Sequence, residues 1–139
     1  MSKWFHYNID GVKYDKTIEY YDEKDISDML IGHKVVGVDG GDTLVLDNGM
    51  KLLVEPNEGC GGCESGWYNI EHIASCNNAI TNVEFDCYDE EGKWDCYTHY
   101  KIFVIADGIR TELLDVYGTD GNGYYGTGYS IDVYVPNKQ

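Results

Sequence analysis

Four X-Gly pairs punctuate this chain, and each separates two runs of strand-forming residues. Asp10-Gly11 parts residues 4–9 from 12–18, and Asn48-Gly49 parts 43–46 from 51–54. Glu91-Gly92 parts 83–88 from 94–97, and Asp107-Gly108 parts 100–106 from 109–116. A two-residue hairpin loop needs positive φ to match the right-handed twist of its strands, and glycine adopts that conformation without a Cβ clash. Asn48-Gly49 is the strongest of the four signals. A last strand is expected over residues 129–135, stopped by Pro136.

These signals predict a mainly β, β-rich α+β chain. The expected form is an antiparallel sheet, or a small barrel or sandwich of hairpins, with one or two short helices. One helix is expected early. Asp22 or Asp25 can cap it, Ile26, Met29 and Leu30 form one apolar stripe, and Gly32 can end it. Residues 67–74 fit either a helix face or a strand. At 139 residues the chain reads as one domain, able to bury roughly two-thirds of its unfolded surface. No repeat or linker divides residues 1–139.

The net charge of −15, from 25 acids against 10 Lys and Arg, narrows the partners. It disfavours direct contact with DNA, RNA or an anionic membrane surface. It fits either a solvated acidic surface or an acidic face that mimics nucleic acid toward a basic partner. The opening residues lack an apolar signal segment, no stretch reaches membrane-spanning length, and the five cysteines are an odd number. Together these lead to an expected cytoplasmic location with reduced thiols.

Chemistry is sought first in Glu58-Gly59-Cys60-Gly61-Gly62-Cys63-Glu64-Ser65-Gly66-Trp67-Tyr68. A Cys-x-x-Cys loop supplies two of the four ligands of a tetrahedral zinc. If Glu91-Gly92 closes a two-residue loop, Cys87 and Cys96 stand opposite each other, with Cβ atoms about 4.5–5.5 Å apart. Cys60, Cys63, Cys87 and Cys96 are then a candidate four-thiolate set. The other reading is two loop thiols and a pair of buried small hydrophobes. No cofactor is expected otherwise. A redox role is disfavoured, because no helix start follows Cys63 and the nearby acids raise a thiol pKa.

The second glycine-rich segment is Gly118-Thr119-Asp120-Gly121-Asn122-Gly123-Tyr124-Tyr125-Gly126-Thr127-Gly128-Tyr129. Its Gly-x-Gly-x-x-Gly is not a dinucleotide fingerprint, since a strand rather than a helix follows. It reads as a wide strand connection whose tyrosines cover the core, or as a ligand loop. Trp67, Tyr68, Tyr124, Tyr125, Tyr129, Asp120 and Asn122 are the candidate ligand- or partner-binding residues. Calcium is disfavoured there because no Glu closes the loop. His6, His33, His72 and His99 are scattered, no nucleophile elbow is present, and the chain is expected not to be an enzyme.

Several of these motifs carry a family resemblance. They are Leu30-Ile31-Gly32-His33-Lys34-Val35-Val36-Gly37-Val38, the Asn48-Gly49 hairpin, the Glu58–Tyr68 loop, Asn78-Ala79-Ile80-Thr81-Asn82-Val83-Glu84 and the 118–129 segment. Together they resemble a family of small bacteriophage-encoded proteins of unknown function. The similarity runs from about Leu30 to Val133, so residues 30–135 form the expected core and 1–29 an N-terminal addition. The resemblance implies a protein that acts in bacterial cytoplasm. It favours one that binds and inhibits or redirects a host factor, such as a basic nucleic-acid-binding component of antiviral defence. A nucleotide-signal sponge using the glycine-rich loops, and a structural zinc or virion-associated module, are the alternatives.

Overall fold

The computed structural model describes residues 12–57, 67–91, 96–119 and 128–136. Nine strands and one helix follow each other along the described chain. They are β1 (Val12–Glu19), α1 (Glu23–Leu30), β2 (Val35–Asp39), β3 (Thr43–Leu46) and β4 (Lys51–Pro56). Then come β5 (Trp67–Ile73), β6 (Ile80–Glu91), β7 (Cys96–Ala106), β8 (Ile109–Thr119) and β9 (Tyr129–Pro136). The strands form two antiparallel sheets, ordered β1-β9-β4-β3-β2 and β5-β8-β7-β6. The mainly β, antiparallel class expected from the turn pattern is the one observed. The ambiguous 67–74 segment is a strand, because its apolar residues find a partner in β8.

One apolar cluster takes residues from both sheets and the helix. Leu44, Leu52, Ile131 and Val133 come from the first sheet, Ile102, Val104, Leu114 and Val116 from the second, and Ile26 and Leu30 from α1. Burial of these side chains is the main force holding the sheets together. Backbone bonds stitch them at one margin. Gly32 N–H donates to Ile80 O at 2.8 Å, Ile80 N–H to His33 O at 2.9 Å, and Val35 and Cys76 exchange bonds at 2.8 and 2.9 Å. Residues 12–29 are integral to this arrangement. β1 pairs with β9, Thr17 Oγ1 donates to Asp132 Oδ1 at 2.6 Å, and Ile18 is buried.

The turns show how loop length sets register. Asp107 and Gly108 have φ of 54° and 76° and join Ala106 directly to Ile109, as a two-residue loop requires. The Asn48-Gly49 turn has three residues in its loop instead of two. Gly49 N–H donates to Leu46 O at 3.0 Å and Leu46 N–H to Met50 O at 2.9 Å. Only Gly49, at φ 90°, takes the left-handed conformation, so Asp47 joins the loop as part of a type I turn. The Asn48 side chain reinforces it by accepting a bond from Met50 N–H at 3.0 Å.

The β6–β7 connection overturns an expectation. Glu91 stands opposite Cys96, and Cys87 stands opposite Tyr100. That register is not the one a two-residue Glu91-Gly92 loop would set. Cys96 is four positions from the residue opposite Cys87, about 13 Å along the strand. The two do not stand opposite each other across the hairpin. The turn at Asp10-Gly11 with its preceding strand lies outside the described residues, as do Cys60 and Cys63. Among the described residues no group of three or more His, Cys, Asp or Glu side chains is disposed around a metal position, and no helix is long and apolar enough to cross a membrane.

Gly118 of β8 lies directly against the β5 backbone. A Cβ there would overlap the Trp67 carbonyl oxygen and lie 2.7 Å from Tyr68 Cα, both of them backbone. Gly118→Ala is therefore expected to destabilise the fold by at least about 2 kcal/mol, because only a backbone shift relieves the overlap. Urea denaturation followed by tryptophan fluorescence measures it. A midpoint equal to the parent's would show that β5 yields freely.

Candidate functional site

β7 alternates between two environments. Tyr100, Ile102, Val104 and Ala106 are buried toward the core. Tyr97, His99, Lys101 and Phe103 take the opposite face, as the period-two geometry of a strand demands. The register brings matching residues beside them. Tyr88 of β6 and Tyr117 of β8 flank His99, Asp86 and Asp115 flank Lys101, and Glu84 and Glu112 flank Phe103. Trp67 and Asn69 of β5 extend the same face beyond Thr119 and Tyr117.

The result is a continuous strip of rings on the outer face of the second sheet. Trp67 lies 5.9 Å from Tyr97 and 6.0 Å from Tyr117, centroid to centroid, and Tyr97 lies 5.5 Å from Tyr117. His99 continues the strip at 4.3 Å from Tyr117 and stacks on Tyr88 at 4.9 Å. The two ends are the most open, with Trp67 42% and Tyr88 40% exposed. Rings this close form a platform rather than a cage, since no space remains between them for a ligand.

Charged groups lock the middle of the strip. His99 Nδ1 is 3.0 and 3.1 Å from the two carboxylate oxygens of Asp115, and its Nε2 is 2.9 Å from Glu90 Oε1. Burial works against the imidazolium, but the bonds to Asp115 and Glu90 outweigh it and raise the His99 pKa above its ordinary value. Lys101 Nζ donates to Glu112 Oε1 at 3.0 Å, is 3.8 Å from Asp115 Oδ2, and sits 5.7 Å from the Tyr88 ring centroid. The bond to Glu112 is the largest influence holding its pKa up. Arg110 lies 3.7 Å from the Phe103 ring centroid and pairs with Glu84 at 2.7 Å. His99, Lys101 and Arg110 each have a carboxylate partner, so among the described residues the middle of this face presents mainly rings and acids.

Of the residues singled out in the sequence, Trp67 is on this platform. Tyr68, one residue on, points the other way. It is 3% exposed and packs 5.8 Å from Tyr100. Tyr129 is 2% exposed and packs near Tyr20 and Tyr100, which agrees with its reading as a core cover. Cys87 is exposed at the margin of β6. Asp120, Asn122, Tyr124 and Tyr125 lie outside the described residues. The sequence reading missed Tyr88, Tyr97, His99 and Tyr117. Their partial signal is the alternation of Tyr97, His99 and Lys101, but Tyr100 breaks it by placing an aromatic on the buried face as well.

Residues 28–131 match the family described as a domain of unknown function, DUF7448. The chain belongs to that family. The matched span contains the whole aromatic platform and leaves out β1, although β1 completes the first sheet. Neither the curated proteins nor the solved structures include a match to this chain.

The His99 clasp has a pH signature. A raised folded pKa means that its stabilisation is full below the unfolded value of about 6.5 and is lost as pH rises through the higher folded value. His99→Gln is expected to lower stability by about 1–2 kcal/mol near pH 6 and by less near pH 9. Urea midpoints of both proteins at the two pH values give the difference. An equal loss at both would mean that the imidazolium contributes nothing beyond packing.

Proposed function

We propose that this DUF7448 protein is a non-enzymatic binding protein whose docking face is the outer face of the second sheet. The observation that carries this reading is the strip from Trp67 through Tyr117 and His99 to Tyr88, open at both ends and bordered by carboxylates. Protein interfaces draw their affinity from exposed aromatic anchors of this kind, and a polar, charged border sets approach and orientation. The acidic border and the net charge of −15 select a basic partner. The resemblance to bacteriophage proteins supplies the setting. In it, the chain acts in the host cytoplasm, where it inhibits or redirects a basic, nucleic-acid-binding host protein such as a defence component.

The test pairs two variants of exposed residues with a salt series. Tagged parent protein, a Trp67→Ala/Tyr88→Ala variant and a Glu84→Lys/Asp86→Lys variant are used to capture proteins from bacterial lysate. The parent's partner is identified by mass and its affinity for each form is measured by surface plasmon resonance. Loss of the anchors is expected to weaken binding about thirtyfold, the cost of about 2 kcal/mol at a hot spot. Charge reversal is expected to slow association and flatten its salt dependence. A partner bound equally by all three forms, at low and high salt alike, would remove this face from the mechanism.

A further inference from the structure

Rings and carboxylates meet a second time at the margin of β6, on the side toward the β1–α1 connection. A cavity of about 160 Å³ opens there. Its walls are Tyr20, Phe85, Tyr100 and Tyr129, and Glu23 and Asp86 stand among its lining residues. The tyrosine rings are packed on one another. Tyr20 lies 4.7 Å from Tyr100 and 6.1 Å from Tyr129, and Tyr100 lies 6.4 Å from Tyr129.

Two backbone features hold this wall. Tyr20 N–H donates to Tyr129 O at 3.0 Å. Gly128, at φ +73°, has the Tyr20 ring against it, with Cε1 2.6 Å from where a Cβ would stand. A side chain at 128 would push the ring into the cavity, so a glycine there keeps the wall in place.

The chemistry of the lining is consistent. Burial raises the pKa of Tyr100 and of Tyr129 well above the ordinary phenol value, so both rings in the wall are neutral phenols. Cys87 also lines the cavity. Partial desolvation beside the cavity, followed by the charges of Asp89, Asp86 and Glu23, pushes its thiol pKa up. Those carboxylates come from two elements, α1 and β6, and of the three Glu23 and Asp86 line the cavity. Glu23 and Asp86 have no ion-pair partner among the described residues. Lys101 borders the cavity as well, but its ammonium is matched by Glu112 and Asp115 on the outer face.

A phosphate or carboxylate would be repelled here, and a neutral ring would leave both acids unused. A guanidinium satisfies both features, with a flat cationic face for the rings and N–H groups for the carboxylates. We propose that the cavity walled by Tyr20, Tyr100 and Tyr129 and fringed by Glu23 and Asp86 receives an arginine side chain of the partner protein. The identity of the occupant rests on the basic partner proposed above, while the cavity's own preference is measurable without that partner.

The experiment is an NMR titration of the full-length protein with Nα-acetyl-arginine amide, against the citrulline counterpart as a neutral isostere. The expected result is saturable shifts at the amides of Glu23, Asp86, Cys87 and Tyr100, with citrulline binding at least about tenfold more weakly. Glu23→Gln/Asp86→Asn, two exposed positions, is expected to weaken the arginine compound about fivefold or more. Equal binding of citrulline, or no saturable shift at these amides, would overturn the proposal. If the arginine compound titrates at the cavity while the Trp67→Ala/Tyr88→Ala variant, which leaves the cavity lining intact, captures a partner normally, the docking face fails and the cavity stands. If the platform variants lose their partner while the arginine compound does not titrate, the cavity fails and the docking face stands.

Discussion

The antiparallel pairing of β7 with β6 on one side and β8 on the other is the constraint on which the rest of this structure depends. Eleven register pairs join β7 to β6, from Ile80–Ala106 to Glu91–Cys96. Nine join it to β8. Once that register is set, strand geometry assigns every side chain to one of two faces. Tyr100, Ile102 and Val104 go to the core, and Tyr97, His99 and Lys101 go outward. The core, the aromatic platform and one wall of the tyrosine cavity are three consequences of the same pairing.

The charge of the chain is organised by that arrangement rather than spread evenly. On the outer face the bases lie inside acidic settings, His99 between Asp115 and Glu90, Lys101 between Glu112 and Asp115, and Arg110 against Glu84. The Arg110–Glu84 pair is exposed and adds little stability, whereas His99 and Asp115 are largely shielded from solvent and hold their side chains in place. His99 is the informative case, because its ring is at once a hydrogen-bonded cation and a member of the aromatic strip. The acids beyond these pairs give the surface its sign. Under the proposed role, a basic partner would meet rings that are already ordered, which would limit the entropy lost on docking.

Much of the fold was legible in residue order. The Asp107-Gly108 turn, the Asn48-Gly49 hairpin and the helix between Asp22 and Gly32 rest on local chemistry, positive φ at glycine and an apolar stripe; the last strand was also legible, although it takes in Pro136, which pairs with Val12, rather than stopping before it. The failure at Glu91-Gly92 is equally physical. Glutamate has little preference for the left-handed conformation, so nothing local forced a two-residue loop there, and the strands paired where their long-range contacts were best. The shift separated Cys87 from Cys96. The site was less legible than the fold. Trp67 was found because it ends a conspicuous glycine-rich loop, whereas Tyr88, Tyr97, His99 and Tyr117 come from three different strands and share no sequence spacing.

By itself, the sequence determined the antiparallel β class, where several of the strands begin, and the acidic character of the chain. These follow from interactions between near neighbours and from total charge, which need no knowledge of distant contacts. Only the tertiary structure decided which tyrosines form the core and which form a surface. It also decided that His99 sits between two carboxylates, and that Tyr20, Tyr100 and Tyr129 enclose one cavity. Those outcomes depend on register between strands far apart in the chain, and register is settled by the burial of the whole apolar cluster at once.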